Sequence, residues 1–377
     1  MTAKELAEAA RAHTRCDGGI KTIDGKHRIR CKQKDPGKCH GCSNIHRRHT
    51  KFIIWSGINK NRELSTQNVV IDANHSYYFV TLTAPSFGKV HKLDKHGTNP
   101  TKCSCKNTHD ATDAFVSTPI DTSRYRYREQ VLWNVWSNDL YKRTQEKLRK
   151  VLPGAEMCSI REPQKRGVVH YHILVRVPAT VPQKEAIKAL KGMRKHSITR
   201  RGDKYEWGRQ VDVKRVKTDG DDLQKTVNYI SKLVGYTTKS LGITENVFSK
   251  PAMRFAKKLR EVGATVKCHK RDCQGAECTN EAHTELGFHG QEFTQTDGWS
   301  FFGLTYKSLR EEMKAYAEAK AAESDDPDAY QKALQRDHNH YPRIAKLEME
   351  DAIGEANLHK VYEARKASAE RMLNSWL

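Results

Sequence analysis

Residues 155–177 read AEMCSIREPQKRGVVHYHILVRV, and they contain the sharpest local pattern in the chain. Two runs that contain apolar residues flank the polar sequence PQKRG: Ala155 to Glu162 and the run Val168 to Val177, which is rich in β-branched residues. A short polar segment with glycine between two such runs is typical of a hairpin. We therefore predict two adjacent antiparallel strands, the second of which carries His170 and His172.

The two histidines are two positions apart on the predicted strand. Successive side chains of a strand point to opposite faces, so both imidazoles would lie on one face with Cα atoms about 7 Å apart. Glu162 stands across the turn and can approach the same face. Two imidazoles and one carboxylate suit Mg²⁺ or Mn²⁺ and leave positions open for phosphate oxygen and water. The alternatives are histidines that are solvated or in the core, and a Glu162 paired with Arg161 or Arg166.

Candidate nucleophiles lie farther along, in VNYISKLVGYTTKS at residues 227–240. Tyr229 and Tyr236 are seven positions apart, which on a helix places them within about 20° of the same face. Each is followed three positions later by a lysine, Lys232 or Lys239. A nearby ammonium favours the phenolate of a side chain whose ordinary pKa is about 10, and it would neutralise phosphate charge. A tyrosine stripe that belongs to the core is the alternative.

The hairpin lies within a longer alternation of strands and helices. The chain order predicts a strand at Tyr77 to Thr83, a helix at about Tyr125 to Leu152, the hairpin, a helix at about Gln183 to Arg194, a strand at Val211 to Val216 and a helix at about Leu223 to Leu241. This order favours an α+β fold, an antiparallel sheet backed by helices. We expect an N-terminal Cys-rich module at 1–65, a catalytic domain at 66–262, a Cys/His-rich segment at 263–300 and a helical C-terminal region at 301–377.

Cysteines and histidines cluster outside the predicted sheet. In a long chain without export features, we expect the ten cysteines to be reduced and those that cluster to bind metal. One candidate structural zinc site comprises Cys16, Cys31, Cys39 and Cys42, and a second comprises Cys268, Cys273, Cys278 and His283. Cys103, Cys105 and His109 would form a third site or complete another. Free cysteines in basic loops are the alternative in each case, and Cys158 is expected in the core.

The chain is strongly basic. It has 67 Lys and Arg against 45 Asp and Glu in 377 residues, a formal net charge of +22. Such an excess indicates a polyanionic partner, because neutralised phosphates release counterions. There is no run of 18 apolar residues, and the first residues lack the hydrophobic core of a signal peptide. We therefore expect a cytoplasmic protein that binds DNA and no membrane.

Taken in order, these motifs resemble those of the HUH endonucleases. More narrowly, the chain resembles the rolling-circle replication initiators of actinobacterial plasmids and integrative elements. The resemblance covers most of the chain from Cys16 to about Arg310. Its motifs are TLTAPSFGKVH at 81–91, Cys103-x-Cys105 with His109, KRGVVHYHILVRV at 165–177, YTTKS at 236–240, LGFHG at 286–290 and Cys39-x-x-Cys42.

The resemblance implies the HUH nuclease fold and cleavage of one strand at a plasmid origin. A tyrosine would join the 5′ phosphate and leave a 3′ hydroxyl for a polymerase, and the same site would later rejoin the displaced strand. Tyr236 lies in the better-matching block and is the favoured nucleophile. Family members often carry their two tyrosines closer together, so Tyr229 is a second nucleophile or a structural residue.

The implied partners are the double-stranded origin, the single-stranded nick site and the host helicase and polymerase. Small zinc modules would read the duplex and leave the sheet to hold the extruded strand. The alternatives are a transposase or relaxase with the same chemistry and a zinc-containing DNA-binding regulator that never cuts. An RNA-binding protein is disfavoured, because no aromatic strand of the RNP type is evident.

Overall fold

The computed structural model describes residues 16, 20–21, 28–29, 39–61, 70–93, 103–110, 113–164, 166–217, 250–267, 273, 287, 292–309, 311, 315 and 322–323. The chain forms two compact units. One comprises Met1–Asp72 with Ser300–Leu377, and the other comprises Ala73–Trp299. The four domain ranges expected from the sequence remain a prediction.

The first unit joins two distant parts of the chain. It contains the two-stranded antiparallel ribbon of β1 (Ile20–Lys21) and β2 (Arg28–Ile29), followed by helix α1 (His40–Trp55). The helix buries a run of apolar side chains that includes Ile53 and Ile54. Just after the helix, the Ser56 hydroxyl donates to the Ser300 hydroxyl at 2.8 Å, and the Phe301 amide donates to the Ser56 carbonyl at 2.9 Å. These bonds tie α1 to the later segment.

The second unit is built on an antiparallel sheet. Its strands are β3 (His75–Leu82), β4 (Glu156–Pro163), β5 (Val169–Pro178), β6 (Ser197–Arg200), β7 (Asp203–Glu206), β8 (Val211–Val216) and β9 (Phe293–Gln295). Five of them form one sheet in the order β8-β3-β5-β4-β9, and all neighbours are antiparallel. The predicted α+β class with an antiparallel sheet is therefore confirmed.

Three helices pack on one face of this sheet. They are α2 (Tyr127–Val151), α3 (Gln183–Gly192) and α4 (Lys250–Thr265). Leu140 of α2, Leu190 of α3 and Leu259 of α4 share one core with Val175 of β5. The sheet is thus backed by helices, as the sequence predicted. No helix within the described ranges is long and apolar enough to cross a membrane.

Strands β6 and β7 form a separate ribbon that packs on α2. Two tryptophans fix it there. The indole N–H of Trp133 donates to the Glu206 carbonyl at 2.9 Å, and that of Trp207 donates to the Thr144 hydroxyl at 2.9 Å. Buried indoles need such acceptors, because an unpaired buried donor is costly. The ribbon was not predicted, since its short strands are largely exposed and polar.

Arg176 lies near the end of β5, where it is paired with Glu156 of β4. Its guanidinium is buried and donates to the carbonyls of Trp299 at 3.0 Å and Gly298 at 2.6 Å. The charge also lies 5.7 Å from the centre of the Trp299 ring, within cation–π range. Arg176 therefore joins the central strand to the segment that follows β9.

Replacing this arginine tests that role. Arg176→Met keeps the apolar length of the side chain but leaves the carbonyl of the buried residue Trp299 without this donor, which costs about 1–3 kcal/mol of unfolding free energy. We expect the midpoint of urea denaturation to fall. Arg215→Met on the exposed strand β8 is the matched control and should shift stability by less than about 0.5 kcal/mol. Equal midpoints for the two variants would contradict the prediction.

Candidate functional site

The two histidines and the glutamate lie on the sheet face opposite to the helices. In β5, Val169, Tyr171 and Ile173 are fully buried in the core with the helices, so alternation places His170 and His172 on the other face. Residues paired across antiparallel strands share a face, and Glu162 is paired with His170. The predicted hairpin therefore brings these three side chains to one surface, at one end of the sheet.

Glu162 contacts the more distant histidine. Its Oε2 lies 2.8 Å from Nε2 of His172, although its partner in the strand register is His170. The other ring nitrogen of His172, Nδ1, lies 3.3 Å from the Thr81 hydroxyl on β3. Phe79 stacks on the same imidazole, with ring centroids 5.7 Å apart. Three neighbours thus fix the ring and direct Nε2 towards the carboxylate.

His170 lies beside this pair. Its ring centroid is 6.2 Å from that of His172. Burial, with smaller contributions from His172 and Arg166, lowers the pKa of His170 to about 3. The imidazole is therefore neutral at ordinary pH, and a neutral imidazole is the form that binds a metal ion.

Two of the three donors lie at the spacing that a divalent ion requires. Two ligand atoms at adjacent positions of an octahedral ion, each about 2.1 Å from it, are about 3 Å apart. Glu162 Oε2 and His172 Nε2 are in direct hydrogen-bond contact at 2.8 Å, a distance that is also close to this spacing. The donor atoms of His170, His172 and Glu162 do not all lie within 4.8 Å of one another. In two other clusters of the described residues, the donor atoms do lie that close together. His170 would therefore have to change its rotamer to become the third ligand.

The side chain between the two histidines anchors them from the core side. Tyr171 is fully buried, and its ring packs 4.7 Å from Tyr141 and 5.2 Å from Trp207 between centroids. Its hydroxyl donates to the Ser137 hydroxyl at 3.3 Å. These contacts hold β5 against helix α2 and so fix the position of the strand that carries the two histidines.

Amide side chains of α2 hold the turn that precedes the histidines. The Gln130 amide donates to the Arg166 carbonyl at 2.8 Å, and the Asn134 amide donates to the Gly167 carbonyl at 2.8 Å. Arg166 is half-buried, and its positive charge contributes to the lowered pKa of His170. The sequence alone indicates Arg166 only as a possible partner for Glu162. Its position directly before the histidine strand was the signal that it belongs to the site.

A basic groove lies at the β8 edge of the sheet. It has a volume of about 680 Å³ and runs between α3 and the start of β8. Six cations and no acidic residue are among the described side chains that line it: Lys184, Lys188, Lys191, Arg194, Lys195 and Arg209. Val211 also lines the groove and is paired with Leu82, next to Thr81. The groove therefore lies at the same end of the sheet as His172.

Several predicted site residues fall elsewhere. Tyr229, Tyr236, Lys232 and Lys239 lie outside the described residues, as do Cys31, Cys268, Cys278 and His283. Cys273 is described and buried. Cys16, Cys39 and Cys42 come together in the first unit, with their sulfur atoms within 4.8 Å of one another. Three members of the first predicted zinc site thus converge, and zinc binding there stays a prediction.

Comparison with known proteins gives one family and one curated relative. The profile described as RepSA, replication initiator protein, pSAM2, matches residues 8–359. A replication initiator protein from Streptomyces ambofaciens is 29% identical over 253 residues, which cover 57% of this chain and 53% of that protein. The chain thus spans about half the length of this curated relative. No solved structure matches the chain.

Proposed function

Because the chain belongs to the RepSA family of replication initiator proteins, we propose that it starts plasmid replication by nicking one DNA strand. The observation that carries this proposal is the group of His170, His172 and Glu162 on one face of the sheet, with Glu162 and His172 in contact at 2.8 Å. This is the arrangement expected of an HUH endonuclease. The strand YYFVTLT, which supplies Thr81, matches the first motif of the same resemblance.

The chemistry is a transfer of a phosphoryl group to tyrosine. The Tyr236 oxygen would attack the scissile phosphorus as the phenol loses its proton, and the bond to the 3′ oxygen would break as that oxygen gains a proton. The products are a 5′-phosphotyrosine and a free 3′ hydroxyl. A divalent ion held by Glu162, His170 and His172 would polarise the phosphate as a Lewis acid. Attack by a displaced 3′ hydroxyl on the phosphotyrosine rejoins the strand and releases the enzyme.

Residues of the chain itself have three tasks in this reaction. Thr81 and Phe79 hold the His172 ring, so that Nε2 stays directed at Glu162. The guanidinium of Arg166 donates to the Gln164 side chain at 3.1 Å, and its positive charge near His170 would attract a phosphate oxygen. Lys232 or Lys239 would favour the phenolate of the neighbouring tyrosine.

The number of residues between strand β8 and the tyrosines is large enough for a tyrosine to reach the site. In strand β8, Val216 is paired with Tyr77, whereas Asp212 is paired with Thr81 beside His172. To bring a tyrosine to His172, the residues after Val216 would have to span the length of four strand residues, roughly 13 Å. Tyr229 follows Val216 by thirteen positions, and even a compact helical path of that length would rise about 20 Å.

The test is formation of a covalent complex. The full chain is incubated with Mn²⁺ and single-stranded oligonucleotides tiled across the DNA that encodes it, and the products are run on a denaturing gel. We expect one oligonucleotide to yield a protein–DNA adduct and a shorter fragment that ends in a 3′ hydroxyl. Binding of the oligonucleotides without adduct or cleavage, at any divalent metal, would favour the regulator that does not cut.

The basic groove is proposed as the path of the DNA backbone. The double variant Lys188→Ala with Lys191→Ala removes two of the cations that line the groove. For a single strand, each lost phosphate contact makes the plot of log binding constant against log salt concentration less steep by about 0.7. We therefore expect weaker binding at every sequence and a slope smaller by about 1.4. The measurement is fluorescence anisotropy over a series of salt concentrations.

The matched control removes the same charge from helix α2. Lys142→Ala with Lys150→Ala changes two exposed lysines of that helix, and Lys142 lines a separate groove beside Asp139 and Glu146. These carboxylates make that surface a poor phosphate site, so the slope should change little. An equal loss of slope in the two double variants would show that only net charge matters.

A further inference from the structure

The segment between β3 and α2 holds a second cluster of metal-binding side chains. It consists of His91, Cys103, Cys105 and His109, whose donor atoms all lie within 4.8 Å of one another. Cys103 and His109 are buried, and His91 and Cys105 are partly buried. Both cysteines are free thiols. The cluster shares none of its residues with the site on the sheet.

The distances fit a small tetrahedral ion. His109 Nε2 lies 2.9 Å from Cys105 Sγ and 3.1 Å from His91 Nδ1. Around tetrahedral zinc, with bonds of about 2.0–2.3 Å, ligand atoms are about 3.3–3.8 Å apart. The two histidine nitrogens would need to separate by about 0.2 Å, and Cys105 Sγ and His109 Nε2 by about 0.6 Å. Two thiolates and two imidazoles also match the preference of zinc for sulfur and nitrogen.

The backbone around the cysteines is shaped for this arrangement. A turn is closed by the Lys106 amide, which donates to the Cys103 carbonyl at 2.8 Å, and Lys106 has a positive φ of 73°. The amides of Lys92 and Asn107 point at the sulfur atoms of Cys103 and Cys105, at 3.5 and 3.4 Å. Backbone N–H groups directed at sulfur stabilise the charge of a thiolate, which is the form that binds metal.

A carboxylate fixes the orientation of one histidine. Asp113 Oδ2 lies 2.6 Å from Nδ1 of His109, and its Oδ1 accepts a hydrogen bond from the Phe115 amide at 2.8 Å. The carboxylate thereby turns Nε2 of His109 towards Cys105 and His91. Histidines that bind zinc commonly have such a carboxylate at the other ring nitrogen.

Two chain segments far apart in sequence meet at the cluster. The amide of His91 donates to the Thr118 carbonyl and the amide of Ser117 donates to the His91 carbonyl, both at 2.9 Å. Val90 forms a bridge with Pro119 next to them. This short ladder places His91 beside the loop that carries the cysteines. An ion at this point would cross-link the ladder to the loop.

We propose that His91, Cys103, Cys105 and His109 bind one structural zinc ion, oriented by Asp113. Four protein ligands leave no open position, so the ion holds the segment between β3 and α2 in shape and takes no part in chemistry. Zinc lets a short, loop-rich segment keep its fold with little apolar core. The proposal stands whether or not the protein cleaves DNA.

The first test uses the unaltered full chain. Purified protein is treated with a thiol-alkylating reagent before and after zinc removal by a chelator, and the modified cysteines are identified by mass spectrometry. Cys103 and Cys105 are expected to be protected at first and to react at least about tenfold faster after chelation. Cys158 is fully buried in the sheet and should stay unreactive in both samples. Equal rates at Cys103 and Cys105 before and after chelation would overturn the proposal.

The second test counts the ion. Because other cysteine sets of the chain are candidates for zinc, the measured quantity is the difference in zinc content between variants. Cys103→Ser with Cys105→Ser should lose one zinc per chain relative to wild type. Ser104→Ala, an exposed position between the two cysteines, is the matched control and should lose none. Equal zinc content in the double variant and the control would refute the assignment.

A third variant tests Asp113 without removing a ligand. Asp113→Asn keeps an oxygen for the Phe115 amide but removes the charge beside His109. Loss of such an outer partner typically weakens metal affinity by about 10–100-fold. The variant should therefore lose one zinc to a competing chelator at a lower chelator concentration than wild type. Unchanged competition would remove Asp113 from the site.

Discussion

Tyr236→Phe is expected to abolish the covalent protein–DNA adduct. Phenylalanine keeps the ring but has no oxygen to attack phosphorus, so no bond to the 5′ phosphate can form. Removal of a nucleophile costs many orders of magnitude, and the adduct should fall by at least about 1,000-fold, below detection on a denaturing gel. Binding of the same oligonucleotide in a mobility-shift assay should remain, because the nucleophile contributes little to affinity.

The comparison with Tyr229→Phe decides the assignment. If Tyr229 is a second nucleophile or a structural residue, its variant still forms the first adduct. Loss of the adduct in Tyr229→Phe alone would transfer the role to that residue. Tyr127→Phe, at a partly exposed position of α2, is the control for the substitution itself. An adduct that persists in the double variant Tyr229→Phe with Tyr236→Phe would exclude both tyrosines.

Glu162→Gln is expected to have the second largest effect. Glutamine has nearly the same shape and can still contact His172, but it lacks the charge that a divalent ion requires. Adduct formation at a fixed Mn²⁺ concentration should fall by more than about 100-fold, beyond the typical effect of an outer partner of a metal site. The measurement is adduct yield as a function of Mn²⁺ concentration, with higher metal expected to restore part of the yield.

Two further variants sharpen this result. His172→Ala removes a proposed ligand outright and should not recover at high Mn²⁺, whereas Glu146→Gln changes an exposed glutamate of α2 and should behave as wild type. His170→Ala should also abolish the adduct. Normal adduct formation by Glu162→Gln or by either histidine variant would remove that residue from the metal site.

The hairpin and its register could be predicted because the pattern is local. Alternation in VHYHILV gave the faces of His170 and His172, and the short turn gave the position of Glu162. The contact of Glu162 with His172 rather than with its register partner His170 was not predictable. It depends on Thr81 and Phe79, which reach His172 from β3, far away in sequence.

Other features were missed for reasons of length or distance. Strand β9 has only three residues, Phe293–Gln295, and such a run carries no period-2 signal. Sequence analysis placed Cys103, Cys105 and His109 together from their spacing but gave no role to His91. That histidine reaches the cluster through a ladder with Ser117 and Thr118, and nothing in local spacing reports such a pairing.

The alternation along β5 has a practical consequence for anyone who modifies this protein. At the end of the strand near the site, odd-numbered residues such as Tyr171 and Ile173 are buried against the helices, and even-numbered residues are the proposed ligands. Substitutions that change the stability of the core and substitutions that would change the proposed metal site therefore fall on interleaved positions of one strand. A library aimed at the proposed metal site can vary the even-numbered positions while the buried odd-numbered positions are held constant.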